Sequence, residues 1–181
     1  MRNPAPALLA FALLLAGCCA ERPLARWEPP LPRTEFQTVR TTAYFDGERD
    51  HRCYTNHNAL GCTLQSGALN SAAADWGRWP AGTLFRVMQT GRVYQVDDYG
   101  WAIAGTNTID LYMPTRRAMD YWGVRRVDIQ ILQWGDPYGS YQTLLPRSHY
   151  RHVARMLREL RPQVAGQTNP VDSSQVWAMS M

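Results

Sequence analysis

Between about residues 36 and 136 apolar and polar positions alternate in short runs. "TVRTTAYF" (38–45) alternates and is rich in β-branched residues. "TLFRVMQ" (83–89) and "RVYQVDD" (92–98) flank Thr90-Gly91, and "VRRVDIQIL" (124–132) sets Val127, Ile129 and Ile131 on one face. Period-two runs around a turn dipeptide predict strands and a hairpin. "PTRRAMDYW" (114–122) breaks the pattern: Pro114 and Thr115 suit a helix start, Ala118, Tyr121 and Trp122 share a face, and Gly123 suits the end. Many short strands with few helices predict a mainly β fold, a small barrel. "GDPYGS" (135–140) is expected to close the compact region. A second helix is expected in "RSHYRHVARMLREL" (147–160), with Val153, Met156, Leu157 and Leu160 as its apolar stripe and Arg147, Arg151, Arg155, Arg158 and Arg161 around the remainder. Either the stripe packs on the barrel and the arginines are solvated, or they touch anionic wall polymer or lipid. From about Gln163 onward no structure is expected.

The N-terminus follows another logic. "MRNPAPALLAFALLLAGCCA" has one early arginine and an apolar run from Ala5 to Ala16, short for a membrane span and suited to a signal-peptide core. Its end, "LAGC" (15–18), resembles a bacterial lipobox. That resemblance implies a signal peptide over 1–17 and acylation of Cys18, with several chains giving stable anchoring. Cys19, in place of an Asp, leans towards the outer membrane. "ERPLARWEPPLPRTEF" (21–36) contains Pro23, Pro29, Pro30 and Pro32 and is expected to be a stiff tether, so that residues 18–35 form anchor and spacer.

A length of 181 residues and a hydrophobic fraction of 45% fit one packed domain with appendages. The net charge of +4, carried by arginine without lysine, comes with no aromatic-interleaved basic stripe, and nucleic acid is not an expected partner. Cys53 and Cys62 bracket "YTNHNALG"; in an exported chain such a pair is expected to form a disulfide. His51, Cys53, His57 and Cys62 could also be read as a metal set, but their spacing matches no common zinc pattern. His149 and His152 are expected on the helix surface.

Three acids stand out. Asp98 precedes Tyr99-Gly100-Trp101, Asp110 is wedged between Ile109 and Leu111, and Asp75 precedes Pro80 and the Gly82-Thr83 turn. Each alone could cap a turn or helix. Their combination resembles the 3D domain, named for three aspartates and found in stationary-phase muralytic proteins and in the catalytic barrel of membrane-bound lytic transglycosylase A. "AADWGRWPAGT" carries Asp75, Pro80, Gly82 and Thr83 in step with that family. "DYGWAIAG" carries Asp98, Gly100, Ala102, Ile103 and Gly105, and "IDLY" carries Asp110, followed by Ala118 and Trp122-Gly123. Thr42-Ala43-Tyr44 and Ser66-Gly67 also match, so the resemblance runs over about 38–134. Tyr99, Trp101 and Ala104 stand where the family has Thr, Gly and Lys, and the loop with Cys53 and Cys62 is an insertion.

The resemblance implies a six-stranded double-psi β-barrel over 36–136, followed by a basic helix and tail over 137–181. Its three aspartates would line a groove for peptidoglycan glycan strands. Tyr99, Trp101 and Trp76 would stack on sugar faces, with Tyr44 and Gly100 also in the substrate site. In lytic transglycosylation one carboxyl protonates the glycosidic oxygen, then takes the proton from the muramoyl C6 hydroxyl as the 1,6-anhydro ring closes. Asp110 is the expected acid and base, Asp98 the neighbour that raises its pKa, and Asp75 a supporting carboxylate. This chemistry requires no metal or organic cofactor. A non-catalytic peptidoglycan-binding lipoprotein and a structural envelope protein are the other classes. The expected place is the cell envelope, lipid-anchored, at the periplasmic face of the outer membrane. Replacing the acylated thiol tests this: Cys18→Ser is expected to abolish metabolic lipid labelling and release the protein from membranes, and unchanged labelling would refute it.

Overall fold

The structure, a computed structural model, describes residues 23–48 and 55–165. Cys18, Cys53, the apolar N-terminal run and the segment from residue 166 onward lie outside the described residues. Six strands form a closed mixed barrel: β1 (Phe36–Tyr44), β2 (Asn70–Ala73), β3 (Leu84–Val87), β4 (Val93–Asp98), β5 (Thr108–Tyr112) and β6 (Arg125–Gln133). Around the barrel they run β1-β5-β2-β4-β3-β6. The pairs β1·β5 and β2·β4 are parallel, and the other four are antiparallel. This arrangement is consistent with the double-psi barrel.

Alternation decides which side chains fill it. Val39, Phe85, Val87, Tyr94, Val96, Ile109, Leu111, Val127, Ile129 and Ile131 are buried in one core, and the Phe85 and Tyr94 rings stack at 5.6 Å. β2 shows no such alternation, since all four of its residues are buried. Short and alanine-rich, it offers no strand signal in sequence.

The described residues also form three α-helices. The first, α1 (Arg116–Trp122), begins at Thr115, whose hydroxyl accepts the Ala118 N–H, and ends at Gly123 with φ +60°. Tyr121, expected on its inner face, is 85% exposed; Trp122 alone in this helix is buried, donating to Thr41 Oγ1 at 3.2 Å. The second, α2 (Pro137–Leu144), occupies sequence read as the close of the compact region. Asp136 caps it, accepting the Tyr138 N–H at 2.8 Å, and Pro137 sits at its first turn. A turn from Leu145 to Arg147 leads to α3 (Arg151–Val164), which starts four residues later than expected. Its stripe of Val153, Met156, Leu157 and Leu160 joins the main core with Trp76 and Trp79.

Residues 25–35 do not form a free tether. Pro-rich backbone pairs little with itself, although the Thr34 N–H donates to Pro32 O at 2.9 Å, so its carbonyls are open to side chains of the body. Ala25 O accepts from Arg155 at 2.8 Å, Pro29 O from Asn107 at 2.8 Å and Pro32 O from Gln37 at 2.7 Å. Glu28 donates its N–H to Gly105 O at 2.8 Å and accepts the Asn107 N–H at 2.7 Å, while Trp27 donates to Glu159 at 2.9 Å. The segment is a strap across barrel and α3.

Gly105 lies under that strap with φ +78°, and a Cβ there would come 2.6 Å from Arg155 Cδ. Gly105→Ala is therefore expected to lower the denaturant midpoint by an amount equivalent to about 1–3 kcal/mol, the usual strain of a side chain in this region. A midpoint equal to wild type would refute the close packing.

Candidate active site

Neighbouring strands place two acids around a small floor. Asp110 of β5 is in register with Thr42 of β1 on one side and Ala73 of β2 on the other. Ala73 is in turn in register with Asp98 of β4. The two aspartates are thus two strand spacings apart, roughly 10 Å between Cα atoms at about 4.8 Å per spacing. Ile109 and Leu111 point into the core, so Asp110 between them faces outward and is half-buried.

Asp98 reaches the same face through an irregularity. Ala72 pairs with Val96, but Ala73 pairs with Asp98, so β4 has one residue more than β2 at this point. Such a bulge re-aims side chains. Here both Asp97 and Asp98 meet residues of the loop before β2: Asn58 Nδ2 donates to Asp97 Oδ2 at 2.9 Å, and the Ala59 N–H donates to Asp98 Oδ1 at 3.2 Å. Tyr44, two residues beyond Thr42, donates its hydroxyl to Asp98 Oδ2 at 3.4 Å. It belongs to an apolar cluster with Leu64, Ala73, Ile103 and Tyr112, separate from the main core. Burial first, then the charges of Asp98, Asp97 and Asp110, push the Tyr44 phenol well above its ordinary pKa.

Both outward acids hold their protons unusually well. Burial is the main cause in each. Asp98 rises from 3.8 to about 7, with the Tyr99 N–H opposing and Asp97 adding to the rise. Asp110 rises to about 6, against the hydrogen bond that Thr42 Oγ1 donates at 2.6 Å. Its negative neighbour is Glu48, not Asp98 as the sequence reading had it.

Asp75 is not part of this pair. It is fully buried near α3, accepting N–H bonds from Gly77 at 2.7 Å and from Gly105, with Arg78 Nε at 4.0 Å. Burial, then Glu159, raises it to about 6, so its proton affinity is high without access to the outer face.

The expected sugar platforms divide. Trp76 is 0% exposed, T-shaped against Tyr99 at 5.1 Å, and donates its indole N–H to Asp98 O at 2.9 Å; it braces the site and offers no stacking face. Tyr44 is likewise buried. Tyr99 and Trp101 are half-buried at the rim, and the Tyr99 hydroxyl accepts from Arg147 at 3.2 Å. Gly100 opens the turn that follows, its carbonyl accepting from Ala104 N at 3.2 Å. Asp97, which sequence reading passed over, is the addition. The signal that could have found it is the Asp-Asp pair at a strand end, where both acids cannot alternate away from each other without a bulge.

Residues 70–133 match the family model described as the 3D domain. The match holds β2 to β6 and all three aspartates of the motif. No curated protein matches the chain. No group of three or more His, Cys, Asp or Glu among the described residues is arranged to hold a metal ion. Cys62 is an exposed free thiol, and the partner expected for it, Cys53, lies outside the described residues.

The raised acids give a stability test. A carboxyl whose folded pKa lies above its unfolded value contributes most below the unfolded value, and that contribution is lost as pH rises through the folded one. For Asp98 the window is pH 4 to about 7. Asp98→Asn keeps the acceptor for Ala59 and Tyr99 and removes the charge. It is expected to be more stable than wild type at pH 8 by about 4 kcal/mol, at about 1.4 kcal/mol per unit of pKa shift, with the gain vanishing near pH 4. Urea unfolding across pH measures it; a loss of stability at every pH would make Asp98 a purely structural acid.

Proposed function

We propose that this protein cleaves peptidoglycan glycan strands as a lytic transglycosylase. The 3D domain is a peptidoglycan-related barrel family, and that context supports a cell-wall lytic role. The observation that carries the reading is the pair of outward carboxyls, Asp110 and Asp98, both held protonated towards neutral pH on either side of Ala73.

Asp110 is the better placed proton carrier, because it is less buried than Asp98 and held at about 6. It protonates the bridging oxygen of the glycosidic bond as that bond to C1 breaks. The same carboxylate then accepts the C6 hydroxyl proton as O6 bonds to C1, and the 1,6-anhydro product leaves with no water consumed. Thr42 fixes one oxygen of Asp110. Asp98, neutral over much of the same range, donates to a sugar hydroxyl and keeps negative charge off that side of the groove. Trp101 and Tyr99 flank the rim as stacking faces. A lipid on Cys18 would hold the domain at the periplasmic face of the outer membrane, beside its polymer.

Digestion of sacculi followed by mass spectrometry tests the reading. The expected products are 1,6-anhydromuropeptides, released fastest at or below about pH 6 and falling about tenfold per pH unit above it, as Asp110 loses its proton. Asp110→Asn is expected to lower the rate by about 100-fold or more with sacculus binding retained. Reducing-end products would make the protein a hydrolase. Binding without cleavage would leave a peptidoglycan-binding lipoprotein, the reading favoured by the cover over Asp98.

A further inference from the structure

Asp97 has no part in the chemistry above, yet its setting is costly. It is 5% exposed. Its Oδ2 accepts from Ser71 Oγ at 2.6 Å and from Asn58 Nδ2 at 2.9 Å, while its Oδ1 is buried with no hydrogen-bond partner among the described residues. A buried, unsatisfied carboxylate oxygen is destabilising and is retained where the group serves another end.

Asn58 is shaped for the contact. Its Oδ1 accepts the N–H groups of Leu60 at 3.1 Å and Cys62 at 2.9 Å, which leaves Nδ2 aimed at Asp97. The next residue, Ala59, donates its N–H to Asp98 Oδ1, and its carbonyl accepts from Arg147 Nη1 at 3.1 Å. Residues 58 and 59 thus cross two adjacent carboxylates and leave Asp98 only 8% exposed.

We propose that Asp97 is a positioning residue for Asp98, which through Asn58 holds residues 58–62 as a strap that closes the Asp98 carboxyl off from a glycan until the strap lifts. The glycan rests on the function proposed above; the strap itself does not. Asp97 also acts through its charge, which from the same bulge favours the neutral form of Asp98. The other titratable or charged groups facing the pair are Asp110 of β5, Tyr44 of β1, Tyr99 after β4, and Arg147 with His152 beside Tyr99.

Two near-isosteric variants of the full chain separate tether from charge, both measured by NMR without substrate. Asn58→Asp keeps the oxygen that caps Leu60 and Cys62 but sets a repelling oxygen against Asp97. Amide exchange at Ala59 is expected to rise by about tenfold or more, the scale of one lost charge-assisted hydrogen bond, with β4 and β5 amides unchanged. Asp97→Asn keeps an acceptor for Asn58 and removes the charge. The Asp98 carboxyl titration is then expected to move to lower pH, with Ala59 protection near that of wild type. Ala59 exchange unchanged in Asn58→Asp, or an Asp98 titration unmoved in Asp97→Asn, would overturn the proposal. Neither result depends on cleavage, so an inactive wild type with both effects present would defeat the transglycosylase reading and leave the strap standing.

Discussion

The bulge in β4 opposite Ala73 is the constraint on which the outer face depends. In a regular strand Asp98 would share a side with Val96, inside a barrel whose lining is apolar. A carboxyl there would meet no donor and would cost several kcal/mol. One extra residue turns it outward instead, into register with Ala73 and level with Asp110. The same residue, Asp97, then has to be accommodated, and Ser71 and Asn58 accommodate it. Barrel closure, the aspartate pair and the loop that covers it therefore share one local irregularity.

On the opposite flank a different set of polar contacts secures the body. Arg78 is almost fully buried and reaches Glu159 at 3.2 Å, Asn107 at 2.6 Å and the Glu28 carbonyl, with Asp75 just beyond. One guanidinium thereby joins the turn after β2, the loop entering β5, the N-terminal segment and α3. Its planar fork suits several fixed acceptors at once. Asp75 and Asp110 both sit near 6, so proton affinity alone does not mark a working acid. Partners and access do: Asp75 is fully buried and held by Gly77 and Gly105 amides, and Asp110 is only partly buried on the outer face.

Local chemistry made much of this legible in sequence. Alternation announced β1, β3, β4 and β6, Thr115 and Gly123 announced α1, and the apolar stripe announced α3. Helix α2 was hidden because Pro-Tyr-Gly-Ser reads as a turn; Ser140, bonded to Asp136 O and Ala81 N, holds it against the barrel. β2 was hidden because both of its faces are covered, Ala72 by the main core and Ala73 by the cluster of Tyr44, Leu64, Ile103 and Tyr112, which erases alternation. Among the site residues, Asp98 and Asp110 were found by their spacing in a motif, whereas Asp75, in the same motif, belongs to the opposite flank.

What the sequence by itself determined was whatever depends on near neighbours: strand periods, caps, the helix stripe and the spacing of the motif carboxylates. The tertiary structure decided which of those carboxylates meet, because register across β5, β2 and β4 is set by pairing between residues far apart in the chain. It decided that Trp76 braces where a free indole would stack, and that the Pro-rich segment is bound where its composition suggests a spacer. In both cases the reason is the same. A side chain's type fixes what it can donate or accept, but only packing across the barrel fixes what stands within reach.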